Sequence, residues 1–161
     1  MIILGFDPGL ASTGFGAISC EGPSPSLVKC GHIKTSKDDD MSRRLSQIYA
    51  DVNVLLSAVK PELVAVENIF SLVRYPRAGI LLGGVIGVIY LAVFQSNMAM
   101  KEITTKEVKN ALVGYGSADK DQVRRTVQAM LQMDGLPSFH AADALAVALT
   151  AFYRNGPGRR L

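Results

Sequence analysis

The chain has 161 residues, of which 48% are hydrophobic and 19% charged; this suits one globular domain and excludes a disordered polymer. Seventeen basic residues against 14 acidic ones leave a net charge of +3, too small a bias to argue for nucleic-acid binding by itself, although a local basic patch is compatible with it. The first apolar run is short, lacks a basic leader and leads straight into Asp7, so no secretory signal is visible, and Cys20 and Cys30 read as reduced thiols of a cytoplasmic protein.

Residues 2–6 read as a first strand, apolar on both faces, that ends on Asp7 before Pro8-Gly9 breaks the chain. Residues 14–20 and 27–35 read as second and third strands, separated by the Gly22, Pro23 and Pro25 turn. Their short connections make the three antiparallel neighbours. The period then changes: Leu45, Ile48, Tyr49, Val52, Leu55, Leu56 and Val59 follow helical spacing. Asp38-Asp39-Asp40 before this helix suits the positive end of its dipole. Lys60-Pro61-Glu62 stops it, and residues 63–67 form a fourth strand ending on Glu67.

Residues 78–100 carry no charge, a length that raises the question of a membrane span. Gln95-Ser96-Asn97, four internal glycines and amphipathic neighbours favour a buried central helix and no membrane. Gly79, Gly83 and Gly87 line one face, where another backbone could approach closely, either within the subunit or across a dimer. Residues 98–103 read as a fifth strand. Thr104 to Glu107 has capping-box spacing and opens a short helix that Gly114 and Gly116 end. Residues 120–133 and 139–153 form the last helices, and residues 154–161 are expected to be a frayed tail. The order implies an α/β layer structure with a mixed sheet, in one domain spanning residues 1–161.

Three acids stand at fixed places. Asp7 and Glu67 end apolar strands, and Asp143 lies in His140-Ala141-Ala142-Asp143 at the start of an alanine-rich helix. If the first and fourth strands are neighbours, Asp7 and Glu67 project together. His140 and Asp143 share one helix face. Crowded carboxylates cost energy unless cations balance them. Two divalent ions about 4 Å apart would do so and would clamp an in-line phosphoryl displacement. An imidazole among the acids makes such a site tolerant of manganese, and it titrates near neutrality. Separate surface acids with no shared site would leave the same spacing. After Glu67, Phe70 and Tyr75 offer stacking surfaces, and Arg74 and Arg77 offer phosphate contacts; an ordinary loop with incidental aromatics is the alternative. Lys106, Lys109 and Lys120 bracket Gly114-Tyr115-Gly116-Ser117, either to grip a nucleic-acid backbone or as solvated helix ends.

Four segments together carry a resemblance. Residues 7–16, beginning Asp7-Pro8-Gly9, residues 66–70 around Glu67-Asn68, residues 108–120 from Val108-Lys109 to Asp119-Lys120, and residues 140–146 closely resemble the bacterial RuvC family of Holliday-junction resolvases, nearly end to end and in order. The resemblance implies a ribonuclease H-like fold with a five-stranded mixed sheet and helices on both faces. It further implies a homodimer and magnesium-dependent cleavage of four-way DNA junctions. By the same resemblance Asp7, Glu67 and Asp143 would be metal-binding catalytic acids. His140 joins them, with some members carrying Asp there and others His. Phe70 would stack on junction bases, and Lys109 and Lys120 would support DNA binding and cleavage. The segment around Arg74 and Arg77 matches poorly. Partnership with the RuvA–RuvB branch-migration motor is likewise implied only by the family.

Two rivals remain at this point. An actin-like or sugar-kinase-like ATPase also starts with an Asp-, Gly- and Thr-rich hairpin, but it normally needs a second lobe that this chain is too short to supply. A binding module without catalysis could use the same fold to recognise junctions or ends.

Overall fold

The computed structural model describes residues 1–22, 24–68, 76–135 and 137–155. Strands β1 (Ile2–Asp7), β2 (Ser12–Ser19) and β3 (Ser26–Lys34) form an antiparallel meander, as their short turns require. Helix α1 (Met41–Val59) crosses over to β4 (Leu63–Asn68), and α2 (Pro76–Gln95) crosses to β5 (Ala99–Thr104). Both crossovers yield parallel pairings, β1 with β4 and β4 with β5. The five-stranded sheet therefore has the order β3-β2-β1-β4-β5. Helices α3 (Thr105–Val113), α4 (Lys120–Met130) and α5 (Phe139–Asn155) complete the chain.

Strand alternation divides the core in two. Leu4, Phe6, Val64 and Val66 point to the face covered by α1 and α2. Ile3, Leu63 and Ala65 point to the face covered by α3, α4 and α5. Side chains cap the starts of α1, α3 and α4, and the sequence signalled the box on α3. Asp40 accepts from the Arg43 amide at the start of α1 (2.8 Å). Thr104 and Glu107 form a reciprocal capping box on α3, and Gly114 ends that helix at a positive φ of 91°. Asp119 and Gln122 form a second box on α4.

Three elements differ from the sequence reading. Helix α2 is not a buried central helix. Val85, Ile89, Ala92 and Val93 pack against α1, but Ile80 and Phe94 are 76% and 78% exposed. Its apolar residues run all round the helix, so hydrophobicity alone could not tell the packed face from the free one. A Cβ at Gly83 or Gly87 would meet nothing within 4 Å, so these glycines do not serve core packing. Arg154, placed with the tail, is instead in the last turn of α5, where it pairs with Glu107 at 2.8 Å. Helix α4 also stops at Met130, short of the expected residue 133.

Helix α5 lies directly on the sheet backbone because small residues meet there. Ala144 and Ala148 lie over Gly5 of β1, and the His140 backbone lies over Gly14 of β2, where side chains are absent from the sheet. A Cβ on Gly5 would stand 2.1 Å from the Ala144 carbonyl oxygen and 2.9 Å from the Ala148 amide nitrogen. Neither backbone atom can yield without moving the helix. Gly5→Ala is therefore expected to destabilise the protein by about 1–3 kcal/mol. A fall in the urea midpoint at constant m checks this, and an unchanged midpoint would contradict the packing.

Candidate active site

The alternation that builds the core also places the acids. Asp7 is two residues beyond Gly5, and Glu67 two beyond Ala65, so both side chains emerge on the α5 face of the sheet. The parallel register sets Phe6 opposite Val66, which makes Asp7 and Glu67 neighbours at the C-terminal ends of adjacent strands. Helix α5 supplies the third acid. Its first turn crosses β2 so closely that a Cβ on Gly14, the residue paired with Asp7, would lie 2.1 Å from the His140 carbonyl oxygen. Gly14 is thus what allows His140 and Asp143 to descend onto the strand ends. The His140 Nδ1 lies 3.4 Å from the Asp7 Oδ2, a long contact whose donor depends on the imidazole tautomer.

Helices α3 and α4 form the opposite wall. Thr105, Val108 and Lys109 fall on one face of α3 by helical spacing, and Lys120 and Val123 do the same on α4. Together with Asp7, Glu67 and Asp143 they line an open cavity of about 280 Å³. That is below the usual range for pockets that enclose a drug-sized ligand.

The electrostatics are those of an unbalanced acid cluster. Burial, then the Glu67 and Asp143 carboxylates, push the Asp7 carboxyl up to about 8, and Lys120 opposes them only in part. Lys120 is itself pushed up, first by Asp143, whose Oδ2 lies 3.3 Å from its Nζ. The Lys120 side chain is largely exposed, so this pair adds little to stability. It does put a cation where the acids need one. Thr105 donates its hydroxyl to the Glu67 Oε1 at 2.7 Å. Among the described residues no three His, Cys, Asp or Glu side chains already close on a single point at metal-ligand spacing. The acids ring a cavity.

Of the residues selected from sequence, Asp7, Glu67, Asp143, Lys109 and Lys120 come together at this cavity, and His140 adjoins it through Asp7. Arg77 is exposed in the first turn of α2 and does not line it. Phe70, Arg74 and Tyr75 lie outside the described residues. Sequence reasoning missed Thr105. The capping box at Thr104 marked the helix start, and the four-residue step from Thr105 to Lys109 was the available signal for a shared face. It also missed His32 on β3, whose ring centroid lies 6.4 Å from that of His140.

Comparison with known proteins agrees with this fold. The family profile described as crossover junction endodeoxyribonuclease RuvC matches residues 3–151. The crossover junction endodeoxyribonuclease RuvC of Natranaerobius thermophilus is 39% identical over 150 residues, covering 92% of this chain and 92% of the relative. That of Herminiimonas arsenicoxydans is 42% identical over 149 residues, covering 92% of this chain and 82% of the relative. The solved structure of T. thermophilus RuvC in complex with Holliday junction substrate superimposes with a TM-score of 0.89 at 34% identity, covering 98% of this chain and 97% of that one. The fold is accordingly ribonuclease H-like, as the sequence resemblance implied. Since the match spans the strands that carry the first two acids and the helix that carries the third, this chain belongs to the RuvC crossover junction endodeoxyribonuclease family.

Proposed function

We propose that this protein is a structure-selective endonuclease that resolves four-way DNA junctions by metal-dependent hydrolysis, making paired, symmetric nicks. The observation that carries the reading is the gathering of Asp7, Glu67 and Asp143 with Lys109 and Lys120 around one cavity in a RuvC-family fold. The donor set fits hard divalent cations, because carboxylate oxygens dominate it and Asp7 is held protonated by burial and then by the Glu67 and Asp143 carboxylates, a repulsion that a cation would relieve. Lys120 beside Asp143 stands in for part of that charge. Asp7, Glu67, Asp143 and His140 would hold magnesium, two ions per site, with manganese as a substitute. When bound, such ions supply Lewis-acid stabilisation of the phosphoryl oxygens and make water a stronger nucleophile at neutral pH.

The chain's own residues do the rest. Asp7 and Glu67 are anchored on buried strands, so their separation is set by the sheet. His140 orients the Asp7 carboxylate. Lys109 and Lys120 attract the phosphodiester into the cavity, and Arg77, with Phe70 and Arg74 from the adjoining segment, would extend the DNA surface. Attack of water on phosphorus breaks the P–O3′ bond and leaves 5′-phosphate and 3′-hydroxyl ends.

Two nicks on opposite strands need two sites, which supports a homodimer. The exposed stripe Ile80, Gly83, Gly87, Leu91 and Phe94 on α2 supplies a face for a second copy of the chain, with glycines that admit a close backbone. Family membership supports a cytoplasmic enzyme that works with the RuvA–RuvB motor.

Asp7→Asn is expected to reduce junction cleavage about a thousandfold, the loss of several kcal/mol of metal-dependent charge stabilisation, while junction binding in a gel-shift assay persists. Equal cleavage by both proteins would refute the assignment.

Because the Asp7 carboxyl titrates near 8 in the folded protein against an ordinary value of 3.8, the folded state binds the extra proton between those limits. Metal-free stability is therefore highest below pH 4 as far as this group is concerned, and it is lost as pH rises to 8. In chelator at pH 8, Asp7→Asn should be more stable than the parent by on the order of a few kcal/mol. The gap should close by pH 4. Urea unfolding at both pH values measures this, and a gap independent of pH would contradict it.

Ile80→Glu combined with Phe94→Glu should convert a dimer to a monomer in sedimentation equilibrium. A parent protein that is monomeric at micromolar concentration would contradict the dimer.

A further inference from the structure

We infer that Thr105 is a positioning residue for the reaction, holding the Glu67 carboxylate toward the cavity through its hydroxyl. This rests on the active-site reading given above, and it adds a residue to that site. The Thr105 Oγ1 donates to the Glu67 Oε1 at 2.7 Å, between residues 38 positions apart. A carboxylate accepts only, so the hydroxyl must donate, and the bond is charge-assisted.

Three features make the contact a built one. First, both backbones are fixed. Glu67 pairs with Ile103 and Asn68 with Thr104 in the parallel β4–β5 register, so Thr105 is the residue at which β5 turns into α3 beside the end of β4. Second, the corner is locked. Thr104 caps α3 reciprocally with Glu107, and Glu107 is tied in turn to Arg154 of α5 at 2.8 Å. Third, Thr105 shares its helix face with Lys109, so the face that orients the acid also presents a cation to the cavity.

The physical benefit is pre-organisation. A glutamate side chain has three rotatable bonds and loses rotamer freedom when it is held by an ion. Threonine is β-branched and stiff about its single χ1. A stiff donor on a locked corner thus selects among the rotamers of a flexible acid before any ion arrives. Partners of metal-binding side chains typically contribute about 10–100-fold to metal affinity. Thr105 is exposed, which places it at the lower end of that range.

The test compares the full-length parent, Thr105→Val and Thr105→Ser. Thr105→Val keeps the shape and removes only the hydroxyl, and Thr105→Ser restores it. Manganese affinity is measured by calorimetry without DNA, alongside single-turnover junction cleavage and junction binding in chelator. Thr105→Val should bind manganese about tenfold more weakly and need correspondingly more ion for cleavage, with junction binding unchanged. Thr105→Ser should stay within about twofold of the parent. If Thr105→Val matches the parent in manganese affinity while the parent cleaves junctions, this inference is overturned and the nuclease reading stands. If Thr105→Ser is as weak as Thr105→Val, the hydroxyl is not the cause and the inference is again overturned. A parent that neither binds the ion nor cuts junctions overturns the nuclease reading and this inference with it.

Discussion

Mutual repulsion among three carboxylates at a partly desolvated sheet edge is the constraint on which the rest of the structure depends. Asp7 is largely buried, and Glu67 and Asp143 face the same space, so metal-free protein holds the Asp7 proton well into the neutral range. A fold selected only for stability would place an apolar or amide side chain at such a position. Here the acids stay together because two of them stand on strands whose flanking residues are the core itself. Leu4, Phe6, Val64 and Val66 are fully buried, and the strand ends cannot separate without opening that layer. Core stability thus holds the acids against their own repulsion, in a geometry that a cation can exploit.

The third acid depends on a different device. Helix α5 reaches the strand ends only because glycines in β1 and β2 leave room for it: Gly5 lies under Ala144 and Ala148, and Gly14 under the His140 backbone. The same close approach carries His140 to Asp7 and Asp143 to Lys120. Small residues here fix distance, whereas on α2 they leave a face open. Gly14 and Gly83 are the same residue type with opposite surroundings: one is pressed by the His140 backbone, and the other has no neighbour within 4 Å of a notional Cβ.

That contrast also explains what could be read from sequence. The strand-end acids, the helix start after Asp40, the capping box at Thr104 and the three-strand meander were legible because each depends on local chemistry or on short connections. The mixed sheet followed from connection lengths. The packing of α2 was not legible, because a helix apolar on all sides carries no directional signal and the partner surface was unknown. The Thr105–Glu67 contact was not legible either, since it arises from register between β4 and β5. The motif similarity identified the family, and it is that family match over residues 3–151, not the fold, that favours the nuclease over the ATPase and the binding module. It was the alternation along β1 and β4 that explained why those acids face the same helix.

The most direct measurement is anomalous scattering from crystals soaked in manganese. The account predicts density at the cavity between Asp7, Glu67 and Asp143, with Lys120 displaced from Asp143. Manganese bound elsewhere, with the three carboxylates left unliganded at saturating ion, would contradict it.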